Sequence, residues 1–249
     1  SVGAKPLAIT NCLNFGNPEN EKIMGEFVEC LDGIKEACEF LDYPVVSGNV
    51  SFYNGTNQKN INPTPVIGGV GLINKLSKPM GLNFKKEGSV IILVGKTFGH
   101  LEQSCFLKEN YSITEGMPPE VNLLNEKNNG ENILKLIQND LVLASHDVSN
   151  GGLIIALSEM AMSSNYGVKI QKPKKLTNLF EFFFGEDQGR YILEIDPKIL
   201  PKIEKILKEN NIYYENVGST QKDYFEIESE LKINVKDLCK VNNDWYRKY

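Results

Sequence analysis

The sequence predicts a mixed α/β protein in two parts, and three of its features carry that prediction. Apolar side chains recur at three- and four-residue steps across Ile23–Leu41, which is the spacing of an amphipathic helix. The run Pro44–Tyr53, PVVSGNVSFY, alternates in the manner of a β-strand. The stretch Lys75–Gly88 is rich in Lys, Pro, Gly and Asn, and the apolar run Val90–Val94 after it begins a second unit.

The first part begins with a short predicted strand, Leu7–Asn11, and a polar loop that leads into the helix. The helix is expected to end at Tyr43, because a residue that precedes proline is disfavoured in helical geometry. A loop at Asn54–Asn62 and a further strand at Pro65–Ile73 come after Pro44–Tyr53. Two strands joined by a turn after a helix predict an α+β layer with antiparallel pairing.

The second part mixes helices and strands without a regular βαβ alternation. The predicted helices lie near residues 101–108, 121–138, 152–163 and 201–209, and the predicted strands at 90–94, 141–144, 168–170 and 190–195, before a β-rich close and a tail over 235–249. The expected division is therefore one domain over residues 1–85 and another over residues 86–249.

Composition and charge narrow the class of protein. Of the 249 residues, 41% are hydrophobic and 24% are charged, which is enough apolar content for one large or two modest cores. The net charge is −5 with acids and bases interspersed, so no nucleic-acid partner is expected. No apolar run reaches the roughly 18 residues of a membrane span. The five cysteines are scattered and lack CxxC spacing, which favours a reduced, cytoplasmic protein.

The strand Pro44–Tyr53 has two different faces. One face is apolar, with a gap at Gly48, and carries Val46, Val50 and Phe52. The other face carries small oxygen-bearing side chains, namely Ser47, Asn49, Ser51 and Tyr53. Such a row is suited to a metal ion, a phosphate or a polar ligand, and a glycine within a strand often marks the close approach of a ligand. The alternative is an antiparallel strand whose polar face simply meets water.

The segment SHDVSNGGL lies between a predicted strand and a predicted helix. Gly151 and Gly152 would expose backbone N–H groups at the helix start, where negative charge is favoured, and Asp147 could orient a ligand. Ser149 or Asn150 is expected to cap the helix. The segment therefore predicts an anion cradle, and the alternative is a tight turn with an ordinary cap.

Neither histidine is assigned a catalytic role. His100 and His146 have no partners in a readable catalytic order, and a lone histidine is usually a hydrogen-bonded structural residue. The segment FFFGEDQGR places Glu186 and Asp187 near Arg190. It is interpreted either as a polar cluster near a site or, preferably, as a local ion pair before a strand, and surface ion pairs contribute only about 0–1 kcal/mol.

Six blocks of sequence together resemble one enzyme family. They are GAKPLAIT, NCLNFGNP, SGNVSFYN, NPTPVIGGVGL, SHDVSNGGL and FFGEDQGR, in that order between Gly3 and Glu228. The series is similar to the C-terminal portion of the phosphoribosylformylglycinamidine synthase family in its short, multi-subunit form. That family belongs to the aminoimidazole ribonucleotide synthetase-like superfamily.

The resemblance implies a fold and a reaction. It implies that residues 1–85 are the end of an N-terminal-type synthetase domain and that residues 86–249 are a C-terminal α+β domain of the same superfamily. Because the chain begins with Ser1 inside a motif-bearing segment, it is expected to be a C-terminal fragment of a longer protein. The implied reaction converts formylglycinamide ribonucleotide and ammonia, taken from glutamine, into the amidine at the expense of ATP, with Mg²⁺.

The resemblance also implies roles for four residues of the first part. By position in the family motifs, Gly48 is a nucleotide contact, Asn49 a magnesium ligand and Ser51 a substrate contact. Asn11 stands where the family commonly has an aspartate that contacts ATP, so it keeps an acceptor oxygen and lacks the charge. The general acid–base histidines of the family lie upstream of this chain, and no catalytic residue is assigned within it.

The implied partners are an upstream N-terminal half, a glutaminase subunit and a small accessory subunit. Two alternatives stand beside this interpretation. Another ATP-using enzyme of the superfamily would share the cradle but lack NCLNFGNP and SGNVSFYN. A non-catalytic nucleotide-binding or assembly module would bind nucleotide without turnover and would expose an apolar face where the upstream half packs.

Overall fold

The structure, a computed structural model, describes residues 1–57, 59–73, 79–173 and 178–248. It divides into a small unit, Ala4–Leu76, and a large unit, Ser1–Gly3 with Ser77–Tyr249. Residues 75–78 of the predicted boundary stretch, residue 58 of the predicted loop and residue 249 of the predicted tail lie outside the described residues.

The small unit is a sheet with one long helix. Its elements are β1 (Lys5–Asn14), α1 (Glu21–Leu41), β2 (Val45–Ser51), the short pair β3 (Gly55–Thr56) and β4 (Lys59–Asn60), and β5 (Thr64–Leu72). The main sheet has the order β2-β1-β5. The central strand β1 runs parallel to β2 and antiparallel to β5.

The helix α1 confirms the predicted amphipathic helix. The side chain of Asn20 caps the first turn of the helix by accepting from the backbone N–H groups of Lys22 and Ile23. The helix ends at Leu41, and the C-cap residue Asp42 has left-handed geometry. Its buried face joins a small cluster formed with the first strand. The cluster consists of the buried Leu13, Phe15 and Ile23 with the half-buried Phe27, Cys30, Ile34 and Phe52.

The predicted antiparallel pairing of the strands near 45–53 and 65–73 is wrong. Strand β1 lies between β2 and β5 and pairs with both, so those two strands are not neighbours. The first strand was predicted too short, as Leu7–Asn11, whereas β1 runs from Lys5 to Asn14. Of the residues outside the predicted range, Cys12–Asn14 pair with both β2 and β5, whereas Lys5 and Pro6 pair with β5 alone.

The large unit is a sheet with helices on both faces. Its elements are β6 (Val90–Val94), α2 (Cys105–Tyr111), α3 (Leu123–Gln138), β7 (Ala144–Asp147), α4 (Gly152–Ser164), β8 (Tyr166–Ile170), α5 (Leu179–Phe184), β9 (Tyr191–Ile195), α6 (Leu200–Glu209), β10 (Tyr214–Lys222), β11 (Tyr224–Ile227), β12 (Leu231–Asn234) and α7 (Val235–Arg247). The sheet order is β12-β11-β8-β10-β6-β9-β7, antiparallel throughout except between β8 and β11.

Strand β6 shows how the core of the large unit is built. Ile91 and Leu93 point to one face and join a cluster with helices α4 and α5, whereas Ile92 and Val94 join a second cluster with α3 and α6. Alternation along the strand thus sends successive apolar side chains into two cores, one on each face. The apolar run Val90–Val94 was predicted as a buried strand, and the structure confirms it.

The predicted mixed α/β fold is confirmed, while several boundaries differ. The helix expected near residues 101–108 is Cys105–Tyr111, and the strand expected at 141–144 is Ala144–Asp147. The tail over 235–249 was not predicted to be helical, yet Val235–Arg247 forms α7 with Asn234 as its cap. Each helix in the described part of the chain is too short or too polar to span a lipid bilayer.

Candidate functional site

The polar side chains of β2 share a face with those of β1. In the parallel register, Thr10 lies opposite Ser47, Cys12 opposite Asn49, and Asn14 opposite Ser51. Side chains in register on adjacent strands point to the same side of a sheet. We call this surface the polar strand face; it consists of Thr10, Cys12, Asn14, Ser47, Asn49 and Ser51. Sequence reasoning identified only the β2 half, although the alternation of Thr10, Cys12 and Asn14 was a visible signal.

Hydrogen bonds order the two ends of the polar strand face. Ser47 Oγ donates to Thr10 Oγ1 over 2.8 Å. At the other end, Ser51 Oγ lies 3.3 Å from the side-chain oxygen of Asn54, whose amide donates to the carbonyl of Ser51 over 2.9 Å. Between these ends, Asn49 is exposed, and its amide nitrogen lies 4.0 Å from Cys12 Sγ. Asn49 is therefore exposed between two hydrogen-bonded ends of this face, whereas Ser51 is half-buried.

Asn11 and Gly48 lie together on the opposite face of the same two strands. They are register partners, and a Cβ placed on Gly48 would lie 2.0 Å from Asn11 Oδ1. A Cβ at position 48 would force the Asn11 side chain to move, because its Oδ1 atom occupies that space. The structure thus brings Asn11 to Gly48 and Asn49 to Ser51, but it separates these two pairs by the thickness of the sheet.

The polar strand face fits one ligand of a magnesium ion, not a whole site. Magnesium prefers carboxylate and water oxygens in octahedral geometry. Asn49 offers one neutral amide oxygen. The part of the chain that the structure describes contains no group of three or more His, Cys, Asp or Glu side chains placed to hold a metal. Carboxylate ligands would have to come from another segment of protein.

The predicted anion cradle contains an anion from the chain itself. The side chain of Glu186 accepts from the backbone N–H of Gly151 over 2.7 Å and from that of Cys105 over 2.8 Å. The N–H of Gly152 bonds to the carbonyl of Ser149 over 3.0 Å. An external anion would therefore have to displace Glu186 before it could bind there.

The predicted cap of helix α4 is wrong. Neither Ser149 nor Asn150 caps it; the cap residue is Gly151, in left-handed geometry with φ 80° and with no side-chain cap bond. The carboxylate of Glu186 replaces the missing cap by accepting from the Gly151 N–H. A charged acceptor at this end also matches the positive end of the helix dipole.

The ion pair of Asp187 and Arg190 is buried, which corrects the expectation of a surface pair. The relative exposure of Asp187 is 4% and that of Arg190 is 1%. The Asp187 carboxylate accepts from the backbone N–H groups of Phe98, Gly99 and His100 over 3.0–3.1 Å. This aspartate thereby fixes the loop after β6, and a buried charge that is fully bonded is strongly destabilising to remove.

Arg190 completes the same buried network. Its guanidinium donates to Thr97 Oγ1 over 3.2 Å and to the carbonyls of Gly185 and Asp187. Burial lowers its pKa, and the neighbouring Asp187 opposes that change. The segment from 185 to 190 therefore acts as a structural connector between the loop after β6 and the start of α4. Sequence reasoning recognised the residues but not their burial, which the local pattern does not show.

His146 lies between two carboxylates. Its Nε2 is 3.0 Å from Glu159 and its Nδ1 is 3.5 Å from Asp147. The hydrogen bond to Asp147 raises the pKa of His146, assisted by Glu159 and opposed by burial. The same bond lowers the pKa of Asp147, which also accepts from Ser1 Oγ over 3.0 Å. His100 Nε2 lies 2.8 Å from the carbonyl of Met117.

The large unit also contains a cavity of about 500 Å³ that sequence reasoning missed. Its lining comes from the loop after β6, the approach and first turns of α3, the turn at 187–189, and residues 211–213. These segments are far apart in sequence, so no single motif could have indicated the cavity.

The chain belongs to the AIR synthase related protein family. The C-terminal domain of that family matches residues 86–228 and its N-terminal domain matches residues 1–73. The fold and the ordered motifs therefore define a member of this class.

Curated relatives carry a particular enzyme name. The chain is 50% identical over its whole length to phosphoribosylformylglycinamidine synthase subunit PurL of Pelagibacter ubique (strain HTCC1062), and 45% identical to the subunit of the same name of Rhodopseudomonas palustris (strain HaA2). The chain covers 34% of each of these two proteins, so it spans about a third of the length of the relatives it matches. The resemblance seen in the motifs is confirmed.

Solved structures share the fold. T. maritima PurL complexed with ATP superimposes with a TM-score of 0.72 at 17% identity, covering 96% of this chain and 38% of that one. T. maritima PurL complexed with FGAR gives 0.72 at 18% identity, covering 96% and 40%. A HypE-HypF complex gives 0.67 at 14% identity, covering 93% of this chain and 78% of that one. The fold alone therefore does not distinguish one activity from another.

Proposed function

We propose that this chain forms one wall of the nucleotide and substrate site of an ATP-dependent phosphoribosylformylglycinamidine synthase. The observation that carries the proposal is the polar strand face, where the exposed Asn49 lies beside the hydrogen-bonded Ser51. The names of the relatives at 45–50% identity support the same enzyme. Because the chain spans a third of their length, the rest of the site is expected on protein outside this sequence.

The proposed residue roles use both faces of the sheet at the paired strands β1 and β2. Asn11 and Gly48 contact ATP on one face, and Asn49 and Ser51 contact magnesium and the substrate on the other. Strand β2 is at the edge of its sheet in the order β2-β1-β5. A ligand that curves around an edge strand can reach both faces, so the separation of the two pairs is compatible with one composite site.

The proposed chemistry is activation of an amide oxygen. That oxygen is a poor leaving group until ATP phosphorylates it, after which ammonia displaces phosphate and leaves the amidine. When bound, magnesium would neutralise charge on the transferring phosphoryl group. The residues of this chain bind and orient: Ser51 is fixed by Asn54, and the Asn11 amide keeps a hydrogen-bond acceptor without adding a negative charge beside the phosphates.

The proposal extends to organisation and partners. It includes a division into two domains, over residues 1–85 and 86–249, as well as magnesium and a cytoplasmic location. The proposed partners are an upstream N-terminal half, a glutaminase subunit and a small accessory subunit. The structure of PurLQS from Thermotoga maritima, with a TM-score of 0.70, supports an assembly of this kind.

A non-catalytic nucleotide-binding or assembly module is the second candidate. Exposed apolar side chains on the small unit favour it: the exposed fraction is 66% for Val46, 53% for Val66 and 50% for Val70. Val66 lies opposite Cys12 and Val70 opposite Ala8, on the side of the polar strand face, whereas Val46 lies on the other side of the sheet. Exposed apolar side chains of this kind are typical of regions that another protein covers. This candidate predicts binding of ATP without turnover.

Co-expression with the upstream segment of a relative tests the proposal. The assay measures amidine formation that depends on ATP and ammonia, with and without that segment. We expect activity only with both, and a loss of more than about tenfold in Asn49→Ala, because a lost ligand weakens metal binding. Asn62→Ala, a matched change in an exposed loop of the same unit, should keep the activity.

The outcomes separate the two candidates. No amidine from a soluble, co-folded pair that still binds ATP would leave the module as the correct assignment. Equal activity in Asn49→Ala and the intact pair would refute the role of the polar strand face while keeping the enzyme assignment.

A further inference from the structure

The cavity in the large unit has the size of a small-molecule site. Its volume of about 500 Å³ lies within the roughly 300–1,000 Å³ of such sites. All of its lining residues belong to the large unit, from Gly95 to Tyr213. The lining therefore includes no residue of the polar strand face, and the inference below does not rest on the proposed amidine synthesis.

The walls of the cavity are held in place by hydrogen bonds that leave its interior free. Asp187 accepts from three successive N–H groups of the loop at Phe98–His100. Asn129, which is buried on α3, donates to the carbonyl of Gly189 over 2.9 Å. A cavity formed by fixed backbone loses little conformational entropy when a ligand enters, which favours binding.

Glu126 is the unexplained group in this cavity. Its Oε2 atom is buried and has no hydrogen-bond partner among the described residues. It lies so close to Gly189 that a Cβ there would be 2.3 Å from the oxygen, and Gly189 has φ +66°. Burial raises the pKa of Glu126. A buried carboxylate oxygen without a donor is costly, and such a group in a native protein calls for a partner.

The other lining side chains indicate which kind of partner fits. Four exposed amides, each able to donate and accept, line the same cavity as Glu126: Asn122, Asn125, Asn128 and Gln188. The rings of Phe98 and Tyr213 are 68% and 47% exposed at the same cavity. Hydroxyl groups both donate and accept hydrogen bonds, so they can pair with amides and can also donate to the unpaired oxygen of Glu126. An aromatic ring can pack on the apolar face of a sugar.

We propose that this cavity is a binding site for a polyhydroxylated small molecule of the size of a pentose or hexose, with a hydroxyl donating to Glu126 Oε2. Asn125 lies one helical residue before Glu126 and extends the polar surface toward the exposed side of α3. Lys96 lies over the ring of Phe98, with Nζ 4.9 Å from its centroid, and covers one side of that ring.

Saturation-transfer NMR on the full chain, with D-ribose and D-glucose as separate probes, tests the proposal. We expect a saturable signal from at least one sugar. We expect Glu126→Gln to weaken its binding by about tenfold or more, because one of the two acceptor oxygens becomes an amide donor. Asn125→Ala should also weaken it. Glu131→Gln, an exposed glutamate on the same helix, is the matched control and should bind as the unmodified chain does.

A diamine, putrescine, distinguishes hydroxyl recognition from simple attraction of a cation to Glu126. Thermal unfolding is recorded for each variant, and Glu126→Gln should not lower the midpoint, because Oε2 has no donor to lose among the described residues. The proposal is overturned if neither sugar binds, if putrescine binds and the sugars do not, or if sugar binding is equal in the unmodified chain, Glu126→Gln and Asn125→Ala.

Discussion

Two interior strands, β6 in the large unit and β1 in the small unit, have opposite surroundings. Four of the five residues of β6 are buried, and the strand has a core on each face. Only Ile9 and Leu13 are buried among the ten residues of β1. On its neighbour β2, every residue except the half-buried Ser51 is exposed. The large unit therefore has an apolar core of its own on both sides of its sheet, whereas the small unit has a core on part of one side.

The polar motif residues differ in the same way. In the large unit, Glu186 and Asp187 bond to backbone N–H groups of neighbouring segments, and their role is to hold the fold. In the small unit, Asn49 is exposed, and Ser51 is held by a nearby asparagine. Polar motifs that resemble binding sites in the sequence can therefore stabilise the fold when their side chains are buried, or remain available to a ligand when their side chains are exposed.

The largest expected effect is that of Asp187→Ala in the large unit. The change removes the acceptor of three backbone N–H groups and leaves Arg190 buried without its carboxylate. We expect a loss of about 3–5 kcal/mol in the free energy of unfolding, measured by urea denaturation. Gln188→Ala, the exposed neighbour in the same turn, should change it by less than about 0.5 kcal/mol. Equal stabilities would mean that the buried pair has no structural role.

A smaller effect is expected for Gly48→Ala in the small unit. The new Cβ would lie 2.0 Å from Asn11 Oδ1, so the change should cost about 1–3 kcal/mol, measured by hydrogen exchange of the β1 and β2 amides. Adding Asn11→Ala removes the clashing oxygen and should restore much of the loss. Gly33→Ala, where a Cβ meets nothing within 4 Å in helix α1, should stabilise instead. Failure of the double variant to recover would refute the steric explanation.

Local patterns predicted the parts of the fold that depend on local chemistry. The spacing of Ile23–Leu41 predicted α1, and the apolar run Val90–Val94 predicted β6, because a helix face and a buried strand leave their period in the sequence. The tail helix α7 was missed although Asn234 caps it. Some of its apolar residues, such as Val241 and Tyr246, are exposed, so the tail shows no clear buried face in the sequence.

Features that depend on which segments meet could not be predicted in the same way. The parallel register of β1 and β2, which assembles the polar strand face, follows from the crossover through α1. The hydrogen bond that the Gly151 N–H donates to Glu186 joins residues 35 positions apart. The cavity beside Glu126 is formed by several separate segments. One sequence contains no direct signal of these long-range contacts, whereas it contains strong signals of helix and strand period.

The smallest expected effect concerns His146, which lies between two partly exposed carboxylates of the large unit. Its pKa is raised in the folded chain from the ordinary 6.5, chiefly by the bond to Asp147. The protonated imidazole therefore stabilises the fold fully below about pH 6.5, and this contribution is lost as the pH rises through the raised pKa. The contribution should stay below about 1 kcal/mol, because Asp147 and Glu159 are 53% and 51% exposed.

Urea denaturation between about pH 6 and about pH 9 measures this dependence. The unmodified chain should lose stability as the pH rises, and His146→Gln should flatten that part of the profile, since glutamine carries no proton to release. Glu159→Gln should reduce the slope without abolishing it, because Asp147 remains. Glu131→Gln, which lies on another exposed helix surface, should leave the slope intact. A slope that persists in His146→Gln would assign the titration to a different group and would confine the role of His146 to packing.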